Sequence, residues 1–547
     1  MRRLRNICIL LTSVTLFVLI LIGLTKFEPF LKWSERFDKS NATYDAEVNL
    51  ENKPTLRVLY PNSGMSNAEF SGGWTTSYFK KITGYDVIYE QTLGDQDTRL
   101  NTILAAGEEY HMFKLESGTY LKNYSNGAFV DLKPALDLYG KDLYEIIPQA
   151  AWDAVTDPET GGIYAIPEVG FSGMMGHALV WNLEQLNAVG ITKIPETMSE
   201  VTDAFYKLQA KFNNSDNLTY HAFTMASAQA YVSTIAAAFE LPENFFVDEN
   251  NTIKHTLYHP QYLPYTKYMN QLVKDNVLTP AWKGYTGSDI ITQFALGNLG
   301  CAFINYWSLN DITSKMAQSR GISQEEAQKL IGWSLYVKGD GSYGTIVQEE
   351  PKYLSYSTIG YYCCIPNHMA EYAPYVIDWI NKRIKTEAFE GYRLGDEGVH
   401  FEYVDSSDPE AIEVIISGET KYVKTLPAYE TDILPTSMYQ CGVNPEVGIN
   451  LWILSEKTYN CWSVLIDNDS PNALGNAIAM APYIEGWSRI DIEARSWVLT
   501  REQSLLNETS EDKFMQIYNF LTKNWKTKYW TDEVDAYVQA WHQSKSK

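Results

Sequence analysis

The segment Phe294-Ala-Leu-Gly-Asn-Leu-Gly-Cys-Ala-Phe-Ile-Asn-Tyr-Trp-Ser-Leu-Asn310 sets two aromatic rings where they can do binding chemistry. A helix ends at Gly297, a short apolar strand runs from Gly300 to Ile304, and Tyr306 and Trp307 follow it. A strand that delivers a flat ring to a cleft wall suits a carbohydrate. A sugar has an apolar face of C–H groups and a rim of hydroxyls, and an aromatic plane matches that face. The plainer alternative is a pair of core aromatics at a strand end.

The opposite wall is expected from Asn62 and Ser63, Trp74, Asp95, and Glu116 to Thr119. Carboxylates and amides on fixed loops can each take two hydroxyls, although the same residue types also cap helices. Glu168 stands where a hinge would face a ligand. Gly170, Gly173 and Gly176 after it allow the backbone changes of closure, with a second crossing expected near 355–360. Trp452, Trp462 and above all Trp487, in Glu485-Gly-Trp487, are further aromatic candidates; core packing is the alternative for each.

Motifs for other chemistry fail on context. Gly339-Asp-Gly-Ser-Tyr-Gly344 fits G-x-G-x-x-G, but a strand-like segment follows where a phosphate-binding helix would have to start. Asp340-Gly341 reads as a hairpin turn. Gly170-Phe-Ser-Gly-Met174 lacks the last glycine of a nucleophile elbow. The histidines show no H-E-x-x-H pattern, the cysteines have no metal-site spacing, and Asp467-Asn-Asp469 opens no complete calcium loop. No cofactor is expected. Glu349-Glu350 and Asp396-Glu397 are adjacent acids of the solvated-loop kind, whereas a glycosidase needs two carboxyls across one bond. An exported carbohydrate-active enzyme is the rival reading, and a surface adhesin without a hinged cleft is a third.

The elements that must carry these residues alternate. Strands at 55–60, 85–89 and 112–115 are separated by helices at 74–82 and 99–106, which stop at Thr83-Gly84 and Gly107. This rhythm predicts right-handed crossovers in a mostly parallel sheet, with ligand beyond the carboxyl ends of the strands. Further strands are expected at 178–182, 331–337 and 361–366. Helices are expected at about 195–212, 264–276, 374–384 and from 513 onward.

Arg2, Arg3 and Arg5 precede an apolar run from Ile7 to Leu24 with no clear cleavage site. This predicts an uncleaved N-terminal signal anchor (1–25), a tether (26–53) and an exported remainder, with a cleaved signal as the alternative. Cys8 lies too early in that run to be a lipidated cysteine. The remaining residues, roughly 490, exceed one core, so two lobes are expected. The net charge of -23 excludes nucleic acid and anionic membrane surfaces as partners. Cys301, Cys363 and Cys364 read as buried strand residues, and a Cys441–Cys461 disulfide is conceivable.

Ordered landmarks carry a family resemblance. They are Lys81-Ile-Thr-Gly-Tyr-Asp-Val87, Leu100-Asn-Thr-Ile-Leu-Ala-Ala-Gly-Glu108, Gly127-Ala-Phe-Val-Asp-Leu132, Gly162-Ile-Tyr-Ala-Ile-Pro167, Trp181 to Gly190 with Pro195-Glu-Thr197, and Gly391 to Glu402. Together they resemble the type-1 extracellular solute-binding proteins of ABC importers, in particular the large oligosaccharide-binding members of Gram-positive bacteria. The usual Pro-Asp after the second landmark is replaced near Glu109-Tyr-His111, and a lipobox cysteine is missing. The resemblance implies an α/β, two-lobe, periplasmic-binding-protein-like fold of type II with ligand in the cleft between lobes. One lobe would hold 54–170 and about 360–430, the other 171–359 and about 431–547. It also implies a monomer outside the membrane, a carbohydrate ligand, ABC permease subunits as partners, an aromatic stacking residue at Tyr306-Trp307, and no catalysis.

Overall fold

The computed structural model describes residues 43–61, 71–157, 160–169, 177–214, 217–225, 234–305, 308–354, 359–408, 410–433, 473–474, 477–478 and 489–545. The first lobe starts β1 (Leu56–Tyr60), α1 (Trp74–Thr83), β2 (Val87–Gln91), α2 (Gln96–Ala106), β3 (Met112–Leu115) and α3 (Ser117–Ser125). α1 and α2 stop at Gly84 and Gly107, whose φ angles of 77° and 64° favour a residue without a Cβ. β2 begins two residues later than the sequence predicts. Tyr85 is drawn into the core instead, where its hydroxyl donates to Asp378 Oδ2 at 3.0 Å.

β4 (Ile166–Val169) ends the first passage through this lobe. The chain then builds the second lobe from β5 (His177–Asn182), α4 (Met198–Phe212), β6 (His221–Thr224), α5 (Tyr262–Lys274), α6 (Gly287–Ala295), β7 (Leu299–Asn305), α7 (Leu309–Arg320) and β8 (Ile331–Ser334). α4 starts where the sequence signals it, with Thr197 and Glu200 forming a capping box. The chain returns to the first lobe as β9 (Ile359–Cys364), α8 (Ala373–Ile384), α9 (Thr386–Leu394) and the strands β10 (Phe401–Tyr403), β11 (Ile412–Ile416) and β12 (Glu419–Thr425). It closes with α10 (Arg495–Leu506), α11 (Glu511–Tyr529) and α12 (Asp532–Lys545), whose Trp497, Trp525 and Val538 join the second core.

The first sheet has the order β2-β1-β3-β9-β4 and the second β8-β5-β7-β6. Both are mixed rather than mostly parallel. β1 runs parallel to β2 and β3, but β9 runs antiparallel to β3 and β4, and β5 antiparallel to β7 and β8. The strands that carry the chain between lobes therefore break the parallel rule of the local βαβ units. Helices cover both faces of the second sheet. Leu179 and Trp181 of β5 point into one core while Ala178 and Val180 point into another, the period-2 division of a strand buried on both sides. Cys301, Cys363 and Cys364 are buried in the central strands, and burial pushes the Cys301 and Cys364 thiols well up. Cys441 and Cys461 lie outside the described residues, as does the expected anchor. Among the described residues no helix is long and apolar enough to cross a membrane.

The C-terminal helices lock onto a small hairpin of the second lobe, where His255 sits 4.2 Å from Trp525, centroid to centroid. Burial pushes the His255 pKa down to about 3. The folded-state value thus lies below the unfolded value of about 6.5, so its contribution to stability is complete above that pH. The contribution is lost as pH falls from about 6.5 toward 3, because the unfolded chain takes up the proton first. Urea denaturation should show the protein about 1–2 kcal/mol less stable at about pH 5 than at neutral pH through this group. His255→Gln should flatten that slope; an unchanged slope would count against the assignment.

Candidate functional site

A cleft of about 770 Å³ opens between the two lobes. Its first wall is the β3–α3 junction, Glu116, Ser117 and Gly118, and its floor is Gly360 and Tyr361 of β9. The second wall is one face of α10, where Arg495, Ser496, Leu499, Thr500 and Gln503 recur at helical spacing. The opposite face of that helix buries Trp497, Val498, Leu505 and Leu506. Glu502 is buried with them and accepts from the Tyr262 hydroxyl.

The floor rests on a buried ion pair. Lys114 of β3, 1% exposed in its side chain, places Nζ 2.7 Å from Glu168 Oε2 of β4. The same ammonium lies 4.5 Å from the centre of the Tyr361 ring, close enough for a cation–π contact. β9 brings these groups together, because Tyr361 pairs with Glu168 and Tyr362 with Leu115. Burial pushes the Tyr361 phenol up while Lys114 opposes the shift, so the ring is neutral at physiological pH. The described lining of the cleft thus presents an aromatic plane, a carboxylate, a guanidinium, and hydroxyl and amide groups. That set matches a ligand with an apolar face and a hydroxyl rim.

The residues singled out from sequence fare differently. Glu116 lines the cleft, with its backbone N–H donating to Gln96 Oε1 at 3.2 Å. Glu168 sits beneath the floor, tied to Lys114, rather than on the surface of the site. Asp95 is exposed and caps α2: its carboxylate accepts from Thr98 N at 2.8 Å, and the Thr98 bonds hold it below the usual carboxylate range. Thr119 is buried and donates to Asp97, which also pairs with Lys122 at 3.0 Å. Trp74 packs inside the first lobe. Its ring stacks on Tyr78 at 5.0 Å, meets His400 edge-on, and donates Nε1–H to Asp396 Oδ2 at 2.8 Å. Tyr306, Trp307, Asn62, Ser63, Trp452, Trp462 and Trp487 lie outside the described residues, as do Gly170, Gly173 and Gly176. Among the described residues no group of three or more His, Cys, Asp or Glu side chains could hold a metal.

Sequence reasoning missed Tyr361 and all of α10. The spacing of Arg495, Ser496, Thr500 and Gln503 against Trp497, Val498, Leu505 and Leu506 is a helical signal, but the buried Glu502 interrupts its apolar stripe.

No curated protein matches the chain by sequence. Among solved structures, an extracellular solute-binding protein from Bifidobacterium longum subsp. infantis superposes with a TM-score of 0.58 at 14% identity, covering 92% of this chain and 100% of that one. The Streptococcus pneumoniae ABC-transporter substrate-binding protein FusA, an EF-hand mutant in complex with fructo-nystose, superposes with a TM-score of 0.62 at 13% identity, over 90% and 99% of the two chains. The N-glycan transport solute-binding protein NgtS of the same organism gives 0.54 at 13% identity, again over 90% and 99%. These likenesses establish the two-lobe fold. Residues 67–352 match the model of the bacterial extracellular solute-binding proteins, and the chain belongs to that family.

Proposed function

We propose that this protein captures an oligosaccharide outside the cell membrane and hands it to an ABC permease, performing no chemistry on it. The observation that carries this reading is the cleft: an aromatic floor, Tyr361, between Glu116 and Ser117 on one lobe and Arg495, Ser496, Thr500 and Gln503 on the other. The likeness to FusA and NgtS, whose names record a fructan-type sugar and N-glycan transport, supports the carbohydrate class. Trp307, with Tyr306 beside it, adds a stacking ring: β7 ends at Asn305, paired with His177 where the chain enters the second lobe. The hinge lies near 168–178, with a second crossing near 355–360. The N-terminal run anchors a monomer on the extracellular side of the cytoplasmic membrane.

A thermal-shift screen of the purified full-length protein against oligosaccharides tests this, with product analysis on each hit. A ligand at a hundred times its Kd should stabilise the fold by about 2.7 kcal/mol and be recovered intact. Recovered fragments would move the reading to an enzyme. Tyr361→Ala and Trp307→Ala should each weaken calorimetric affinity for the best hit by about 1–3 kcal/mol without unfolding the protein. Unchanged affinity in either variant would remove that ring from the site.

A further inference from the structure

A second cavity, of about 480 Å³, lies on the second lobe and shares no residue with the cleft. Its volume falls in the range of small-molecule sites, about 300–1,000 Å³. Three tyrosines surround it, Tyr206, Tyr268 and Tyr343, with Pro264 and Leu263 at its base and Lys267 and Gln271 at its rim. Tyr343 is its unusual member. The residue is 51% exposed, although the backbone that displays it has a φ of 54°, a region that L side chains rarely adopt.

The surrounding loop enforces this conformation. Gly341 and Gly344 flank the tyrosine at φ 83° and 88°. Asp340 accepts from Ser199 N at the start of α4 and from Ser342 N, both at 3.0 Å. Gly339 N–H donates to Gln348 Oε1 at 2.9 Å. At Gly344 an added Cβ would come within 3.2 Å of Pro264, so the loop lies tight against α5. The rim is equally fixed. The Tyr206 hydroxyl donates to Asp275 Oδ2 at 2.5 Å, and Gln271 Nε2 donates to both Asp275 oxygens at 2.9 Å, which leaves the Gln271 amide oxygen to accept from a ligand. Strain concentrates where a rigid frame aims a side chain at a ligand. Here it aims a half-exposed ring, 5.8 Å from the Tyr268 ring, into an apolar hollow with a polar edge.

We propose that this cavity is a second, independent carbohydrate site, in which a pyranose ring lies against Tyr343 with its hydroxyls toward Gln271 and Lys267. Apolar walls accept the C–H face of the sugar and the rim accepts its hydroxyls, a division that a fatty ligand would not need. The site would hold one end of a long glycan, or a separate chain, on the outside of the lobe.

Saturation-transfer NMR with the full-length protein tests the proposal, using maltotriose, kestose and chitotriose in the millimolar range. The Tyr361→Ala/Arg495→Ala variant disables the cleft. Transfer to at least one of these sugars should persist in that variant and fall about tenfold when Tyr343→Gly is added. Glycine also suits the backbone at 343, so Tyr343→Gly should not lower Tm if the tyrosine serves binding. A drop in Tm would mark Tyr343 as a packing residue and overturn the proposal. Loss of all transfer in the cleft variant, with the wild type still binding, would overturn the second site and leave the cleft reading standing. Transfer that survives Tyr343→Gly, or no transfer to any of the three sugars in the wild type, would likewise overturn it.

Discussion

Lys114→Ala is expected to destabilise the protein by about 3–5 kcal/mol, the largest effect of any single change at the site. The substitution removes an ammonium, 1% exposed, that lies 2.7 Å from the Glu168 carboxylate, 10% exposed, and so takes from that buried charge its cationic neighbour Lys114. The attraction between such partners roughly offsets the cost of drying both, so removing one exposes most of that cost. Lys114→Met combined with Glu168→Leu should therefore lose far less than Lys114→Ala alone. Equilibrium urea unfolding of both variants reads this directly, and a Lys114→Ala loss under about 1 kcal/mol would refute the account. The single variant should also loosen ligand binding, because the Tyr361 ring loses the cation 4.5 Å beneath it.

Gly339→Ala is expected to cost about 2–3 kcal/mol for a different reason. An added Cβ would stand 2.3 Å from the Ile346 carbonyl oxygen and 2.5 Å from that of Ala238. Both obstacles are backbone, so no side-chain rotation relieves them. The loop that carries Tyr343 must move away from the second lobe, breaking the Gly339–Gln348 and Gln348–Ala237 hydrogen bonds, both 2.9 Å. Differential scanning calorimetry should show a lowered Tm, with Gly284→Ala as a comparison because an added Cβ there meets nothing within 4 Å. Equal Tm values for Gly339→Ala and wild type would show that the loop has more room than its contacts imply.

Local signals in the sequence were legible where one residue type has one physical reason to be present. Gly84 and Gly107 end helices in left-handed conformations, and Thr197 opens α4 through a side-chain bond three residues on. The α/β class follows from the order of such elements, whereas the two lobes are expected from chain length and from the family resemblance. The site was less legible, because each polar residue near it has competing uses that sequence does not separate. Asp95 is a helix cap, Thr119 serves Asp97, and Trp74 packs under the three-stranded sheet. Glu168 is spoken for by Lys114, a partner 54 positions away that no local pattern announces. Tyr361 reads as one more strand aromatic until β9 is seen to lie between β3 and β4. α10 escaped notice because a buried glutamate, satisfied by Tyr262, stands in its apolar stripe.

The position of β9 also bears on when the protein can fold. β9 is the bridge of the first sheet: it pairs with β3 on one side and β4 on the other, and among the described residues β4 has no other neighbour in that sheet. On a growing chain β9 emerges roughly 250 residues after β3, once the second sheet and α4 to α7 have been made. Until then the sheet is split, β4 has nothing to pair with, and Lys114 and Glu168 have no strand between them to set their distance. Closing so long a loop makes folding slow. For a chain that works on the far side of a membrane, slowness is useful: it holds the nascent polypeptide unfolded, and so able to thread through a narrow export channel, until translocation is well under way.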